Sequence, residues 1–400
     1  MKKVLILGGG IAGIEAAIHL GKIRTGGRQI FDVTVLSERD FLYVYPLSIW
    51  IPTGGTTLDK VCIPLRDLAD VHRFKVAIER VEAVDPLERK ITTERGRHRY
   101  DYLIIALGAG KLKPKGAEHF LSICGDPKEA LLIEDRLDDL IAAGGGTIAV
   151  GFGGNPLDSS AVRGGPAFEF VFNVDHLLRK RGLRRNFQLT FFAPMESPGA
   201  RMGANAVAAV REMFGRLGIE TRFGIKISEF RPNGVLLADE TTIDADLTMF
   251  IPALTGHPLL RESKLPLNGA GFVTINDYCE VKSPYSLSPS GGATIYAVGD
   301  AAALEGPEWS AKQGHMAEIM ARNAAHNMAA QEIGGSKKGY QKHLSILCVM
   351  DTGNGAAFVY RDRTRGVMLP LPVFGHWLKK GWGSYYRLSK LKEIPRLPFM

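Results

Sequence analysis

The chain has 400 residues, 45% hydrophobic and 23% charged, which fits a soluble globular protein of two or three domains with ample core. Its four scattered cysteines (Cys62, Cys124, Cys279, Cys348) exclude a disulfide framework and a zinc site but leave room for one redox-active pair. Net charge is +8, and residues 361–400 hold nine basic residues against two acidic ones, so nearly the whole excess lies in the last tenth of the chain and points to an anionic partner.

The chain opens on Val4-Leu5-Ile6-Leu7, an apolar run that reads as a buried parallel strand. It leads directly into Gly8-Gly9-Gly10-Ile11-Ala12-Gly13, followed by the helical spacing of Ile14 to Leu20. In this strand–turn–helix context Gly8 permits the tight turn, Gly10 lets a pyrophosphate approach the backbone, and Gly13 lets the helix pack close to the strand. The helix N-terminus then faces the phosphates. Because the apolar run belongs to this motif, it does not read as a signal peptide. Nor does any apolar stretch reach 18 uncharged residues, so no spanning helix is expected.

Asp32 to Leu36 reads as the second strand. Ser37 at its end, or Glu38 just beyond it, is the candidate for holding a ribose hydroxyl. Phe41 to Pro52 is aromatic and proline-rich and reads as a loop. Val76 to Asp85 and Arg89 to Thr93 read as strands of a small meander, and Tyr100 to Gly108 as a buried strand returning to the first sheet. A helix is expected over Glu129–Ala143. Thr147 to Pro156 is a second strand-and-glycine run, but Pro156 stands at the third glycine position, and the strand Gln188–Phe192 ends in Ala193-Pro194 without a carboxylate. The sheet is expected to survive there while the nicotinamide-dinucleotide site is degraded. Thr294 to Asp300 is a strand ending in Gly299-Asp300 at the cofactor side, and a helix containing Lys312 to Met328 follows. From Lys337 onward come short apolar segments, then a tail mixing Trp377, Trp382, Tyr385 and Tyr386 with lysines and arginines. These aromatics suit a membrane interface and the cations suit anionic headgroups. No nucleic-acid recognition fold accompanies them.

The first glycine motif, Tyr100 to Gly108 and Thr294 to Asp300 together resemble the two-dinucleotide-domain flavoproteins of the pyridine-nucleotide–disulfide oxidoreductase superfamily. The resemblance implies an α/β fold of two Rossmann-like domains, the second inserted in the first, plus a C-terminal membrane-associating region. It places the flavin domain at 1–110 and 286–332, the second domain at 111–285, and the C-terminal region at 333–400. It implies FAD held along Gly8, Gly10, Gly13, Ser37, Glu38, Gly108, Gly299, Asp300 and Lys312, with Asp300 at the ribityl chain.

Within that superfamily the chain looks most like the sulfide:quinone oxidoreductases and the flavocytochrome c sulfide dehydrogenases. Leu121-Ser122-Ile123-Cys124 lies where they carry a cysteine near the flavin. Gly165-Pro166-Ala167-Phe168-Glu169 matches their Gly-Pro-Ala-aromatic-Glu run, Lys312-Gln313-Gly314 their Lys-x-Gly, and Cys348 to Phe358 their C-terminal redox-cysteine segment. The departure is the second redox cysteine before Gly-Pro-Ala, where Val162, Arg163 and Gly164 stand. The resemblance implies electron transfer from sulfide or a related sulfur nucleophile through FAD to a membrane quinone. In it Cys348 and Cys124 serve as thiols, Lys312 as a cation at the flavin's pyrimidine edge, and Glu169 as a proton acceptor. Two alternatives stay open: a type II NADH:quinone dehydrogenase-like enzyme, and a flavin subunit that docks a cytochrome through its basic tail. A peripheral, monotopic protein, free or as a homo-oligomer, is expected. His19, His176 and His315 lack a second ligand at metal spacing, so no metal site is expected.

Overall fold

The computed structural model describes residues 1–287 and 294–397. Residues 288–293 and 398–400, within the expected flavin domain and C-terminal region, lie outside the described residues. In chain order the first unit contains β1 (Lys2–Leu7), α1 (Ile11–Leu20), β2 (Phe31–Ser37), β3 (Lys75–Ile78) and β4 (Tyr102–Ile105). The second contains α2 (Pro127–Ala143), β5 (Gly146–Phe152), α3 (Gly165–Lys180), β6 (Phe187–Ala193), α4 (Ala204–Leu217), β7 (Glu220–Phe223) and β8 (Leu247–Ile251). The chain then returns through β9 (Ile295–Ala297) and α5 (Gly314–Ile333). It continues into β10 (Ile346–Asp351), β11 (Gly355–Arg361), β12 (Gly366–Pro372) and α6 (Phe374–Lys390).

The fold is α/β, built on two parallel sheets. The first has strand order β9-β4-β1-β2-β3, with Leu5 opposite Leu103 and Thr34. The second has order β7-β6-β5-β8. Their strands read as continuous apolar runs because parallel strands are covered on both faces. β9 returns the chain to the first sheet beside β4 and delivers Gly299-Asp300 to the carboxyl end of that sheet. A three-stranded antiparallel sheet, β10-β11-β12, carries α6 back across both units.

Several local expectations are corrected. Lys75–Ile78 pairs with β2 in the main sheet and leaves the meander to Val81–Asp85, Lys90–Thr93 and Gly96–Arg99. The polar pair Glu79-Arg80 breaks the run between them. Phe41–Pro52, expected as loop, holds a strand Phe41–Tyr43 paired with Cys62–Pro64 and a one-turn helix Tyr45–Ser48. Its Pro46 sits in the first turn, where no amide donor is needed. α5 starts at Gly314, because Gln313 is extended, so Lys312 precedes the helix. The basic aromatic tail is a 17-residue helix although it contains Gly375, Gly381 and Gly383. A Cβ at Gly375 would lie 2.6 Å from Ala356, and one at Gly383 would lie 2.5 Å from Leu47. Close packing overrides the poor helix propensity of these two glycines.

Candidate functional site

Both units and the C-terminal sheet surround one cavity of 1430 Å³. Its dinucleotide end is made by the start of α1. Gly8 has φ +107°, and a Cβ there would meet the Ala106 carbonyl at 2.4 Å. A Cβ on Gly13 would meet the Gly8 carbonyl at 1.9 Å. Gly8 and Gly13 thus set the turn and the helix–strand contact. Gly10, the N-cap of α1, lines the cavity, and a Cβ there would meet nothing within 4 Å. Gly108, φ +75°, lines the cavity with the same open space at its Cβ position. Open space over a helix N-terminus is the cradle that a dinucleotide pyrophosphate fits. Gly299, φ +65°, packs on Ala12 and turns the chain so that Asp300 reaches the cavity. Ser37 is buried with its hydroxyl donated to the Arg39 carbonyl, and Glu38 is exposed. Neither lines the cavity.

Cys124 is buried and lines the cavity. Its turn is fixed by a capping box at the start of α2. The Glu129 carboxylate accepts from the backbone N–H of Ser122 and of Asp126, both at 2.8 Å. Lys111 donates to the Cys124 carbonyl. Burial raises the Cys124 thiol's pKa, while Arg163 and Lys111 pull it back. Arg163 reaches this place from the loop 155–164. That loop is pinned where the Asn155 amide donates to the Leu254 carbonyl at 2.9 Å and Asn268 donates to Asp158 at 2.9 Å. The Arg163 guanidinium donates to Asp300.

Lys312 is buried, donates to the Ala302 carbonyl and lies 3.9 Å from the centre of the Phe272 ring. Burial pushes its ammonium down to about 8, with Asp300 and Asp158 opposing. Cys348, on β10, is half-buried and lines the cavity. Burial pushes its thiol up to about 12; Glu169 adds to the rise and Lys379 opposes it. Cys62 is half-buried and Cys279 buried; neither lines the cavity, and burial raises both thiols.

Glu169 sits on the buried face of α3 and pairs with Lys379 of α6. It also accepts from the Asp351 N–H at 2.9 Å. Burial raises the Glu169 pKa against the pull of Lys379, so this carboxyl holds its proton more readily than a free one. Beyond it, the Asp351 carboxylate accepts from Asn173 at 2.8 Å and pairs with His376 at 2.7 Å. Sequence reasoning found Glu169 and missed Lys379, Asp351 and His376. Their pairing spans up to 210 residues, and Lys379 looked like one more solvated tail charge.

Several of the tail's charges turn inward. Lys390, 2% exposed, pairs with Glu15 of α1 and with Glu318 of α5 at 2.8 Å. Arg396 joins the same carboxylates at 2.8 and 3.4 Å. Arg387 donates to the Cys62 carbonyl and Lys392 to the Val71 carbonyl. What α6 presents outward at its start is apolar: Val373, Phe374 and Trp377 are about two-thirds exposed. Leu378 is both exposed and part of the cavity lining, with Leu347 and Trp382 beside it. Among the described residues no helix is long and apolar enough to cross a membrane, and no cluster of three metal-ligating side chains occurs.

The second glycine run differs from the first. After Gly10, α1 begins at once; after Gly153, α3 begins only at Gly165. The loop carrying Arg163 fills the interval. A Cβ at Gly153 would meet the Ala253 amide and the Phe250 ring at 3.3 Å, so that turn packs on its own chain. Gly154 and Asn155 line the cavity together with Gly164 and Gly165 at the start of α3, but the glycine turn does not lead directly into that helix.

Against known proteins, the family described as pyridine nucleotide-disulphide oxidoreductase matches residues 2–329. The chain is 26% identical to the sulfide-quinone reductase of Aquifex aeolicus over 96% of this chain and 90% of that one. It is 22% identical to the mitochondrial sulfide:quinone oxidoreductase of Schizosaccharomyces pombe over 91% and 82%. The crystal structure of the Aquifex aeolicus sulfide:quinone oxidoreductase superposes with a TM-score of 0.86 at 24% identity, covering 100% of this chain and 94% of that one.

Proposed function

This chain belongs to the pyridine nucleotide–disulphide oxidoreductase family, and we propose that it is an FAD-dependent oxidoreductase passing electrons from sulfide to a membrane quinone. One observation carries the reading. A single cavity joins the Gly10 cradle, both thiols Cys124 and Cys348, and an apolar mouth at Leu347, Leu378 and Trp382. The relatives named as sulfide and quinone enzymes support it at nearly full length.

FAD, when bound, accepts two electrons from the donor and yields them to the acceptor. Gly10 and Gly108 give its backbone cradle, Asp300 its ribityl contact, and Lys312 a cation within the same cavity. Lys312 sits near half-protonation around pH 8, so it can answer a change of charge beside it. On the donor side Cys124 lies between Arg163 and Lys111 and handles sulfur; Cys348 supplies the second thiol. On the acceptor side the apolar mouth suits a quinone ring, and the Glu169–Lys379 pair beside Cys348 supplies protons from a carboxyl that retains them. The NADH reading is weakened by Pro156 at the third glycine position and by the loop that separates Gly153 from α3. The cytochrome-docking reading is weakened, because Lys379, Lys390 and Arg396 are engaged internally.

The deciding experiment is anaerobic flavin reduction. Sulfide is expected to bleach the flavin and micromolar NADH to leave it oxidised. Cys348→Ser is expected to slow the sulfide reaction while retaining FAD, since a hydroxyl is a far poorer nucleophile than a thiolate. Rapid bleaching by NADH with none by sulfide would reverse the assignment.

Membrane contact is made by the apolar edge of α6 and β12, with the quinone entering beside Leu378. Burying an exposed aromatic or aliphatic side chain is worth about 1.5–3 kcal/mol. Phe374→Ser with Trp377→Ser is therefore expected to release the protein from liposomes, whereas raising the salt concentration weakens binding only modestly. Liposome binding abolished by salt and unchanged in the double variant would refute this edge and restore the charge-driven tail.

A further inference from the structure

We propose that Arg163 is the donor-side substrate residue of this cavity: its guanidinium, fixed at one end by Asp300, holds a small sulfur anion against Cys124. The inference deepens the sulfide reading above and rests on it. Three observations support it. The first is position. Loop 155–164 separates the second glycine run from α3 and is pinned through Asn155 and Asp158. Arg163, near its end, lines the cavity with a side chain only 23% exposed.

The second is unused hydrogen-bonding capacity. A guanidinium carries five N–H donors. Asp300 takes one edge and the Cys124 thiol is a second partner. Among the described residues no other acceptor takes the remaining donors. The third is charge. Arg163 is paired with Asp300, and Lys312 faces both Asp300 and Asp158. The Arg163 guanidinium therefore shares its one carboxylate partner with a second cation, which leaves it receptive to an anion on its free side. The cofactor phosphates have their own cradle at Gly10, so the anion facing Cys124 is the substrate. Hydrosulfide and short polysulfide anions satisfy this; a neutral thiol does not.

A paired thiol at this place would store sulfur covalently, whereas an arginine binds it by charge. The chain therefore meets its donor as an ion, and its specificity follows from charge as well as size.

The test uses the flavin-loaded protein under anaerobic conditions. Sodium hydrosulfide is titrated against flavin absorbance in wild type, Arg163→Lys and Arg163→Met, with flavin content and melting temperature as checks on folding. One or two charge-assisted hydrogen bonds lost correspond to at least about a tenfold rise in the sulfide needed for half-reduction in Arg163→Met. Arg163→Lys should fall between, and added guanidinium should partly restore Arg163→Met. Equal half-reduction points in all three proteins would overturn the role of Arg163 and leave the sulfide reading intact. A wild-type flavin that sulfide never reduces would overturn that reading instead. Thiosulfate then decides the anion role. A flavin spectral shift present in wild type and lost in Arg163→Met supports it, and identical responses overturn it. If Arg163→Met does not retain flavin, Arg163→Lys and Arg163→Gln carry the comparison.

Discussion

Gly10→Val is expected to fold and to carry no flavin. The residue has φ −82°, which any amino acid adopts, and nothing of the protein lies within 4 Å of where its Cβ would stand. A valine there is tolerated by the chain and projects into the cradle, blocking the approach of a pyrophosphate to the backbone. Flavin absorbance should fall to background while the far-UV circular dichroism and the melting point match those of wild type stripped of flavin. The stripped protein is the right reference, because a bound ligand adds its own stability. Gly13→Val is the contrast. Its Cβ would lie 1.9 Å from the Gly8 carbonyl, so it should damage the fold itself. A yellow Gly10→Val protein would show that the cofactor lies elsewhere.

Lys390→Met should destabilise the holoprotein by about 1–3 kcal/mol, the cost of removing one partner from a buried charged cluster. Lys390 bridges Glu15, 0% exposed, and Glu318, while Arg396, Arg322 and His19 still face Glu15. The second variant Glu15→Gln, combined with Lys390→Met, should recover part of the loss by removing a buried charge that has lost its most buried partner. Equal destabilisation in the single and double variants would sink this account. The cluster also sets an acid limit. Burial alone would raise the Glu15 pKa, but Lys390, His19 and Arg396 together hold it well below the ordinary 4.5. A carboxyl depressed in the folded state stabilises fully above its unfolded value, and that contribution is lost as pH falls below it. Wild-type stability should therefore drop on acidification below about pH 4.5, and Glu15→Gln should flatten that drop. Urea midpoints across pH 3–7 measure both.

Much of the flavin unit was legible because its signals are local. Gly8, Gly10 and Gly13 lie within six residues, and the strands at Val4, Leu103 and Ile295 are continuous apolar runs. Cys124, Cys348, Glu169, Lys312 and Asp300 were each singled out by motif, and all five line the one cavity. Arg163 was legible only as an absent cysteine, since its contact with Asp300 spans 137 residues. The internal pairing of the tail's lysines was hidden for the same reason. A run of lysines looks solvated until the carboxylates of α1, α3 and α5 are brought against it. Its helix was hidden by three glycines whose role is contact with Leu47 and Ala356 in two cases.

The charge cluster at Glu15 also orders events during synthesis. Glu15 emerges in the first helix, and its cations Arg322, Lys390 and Arg396 follow 307, 375 and 381 residues later. At usual elongation rates of 5–20 residues per second that is an interval of roughly 15–75 s. The Gly10 turn is thus synthesised long before α6, the helix that lines the far side of the cavity. Cells short of flavin during that interval should accumulate more empty protein than cells deprived of it afterwards.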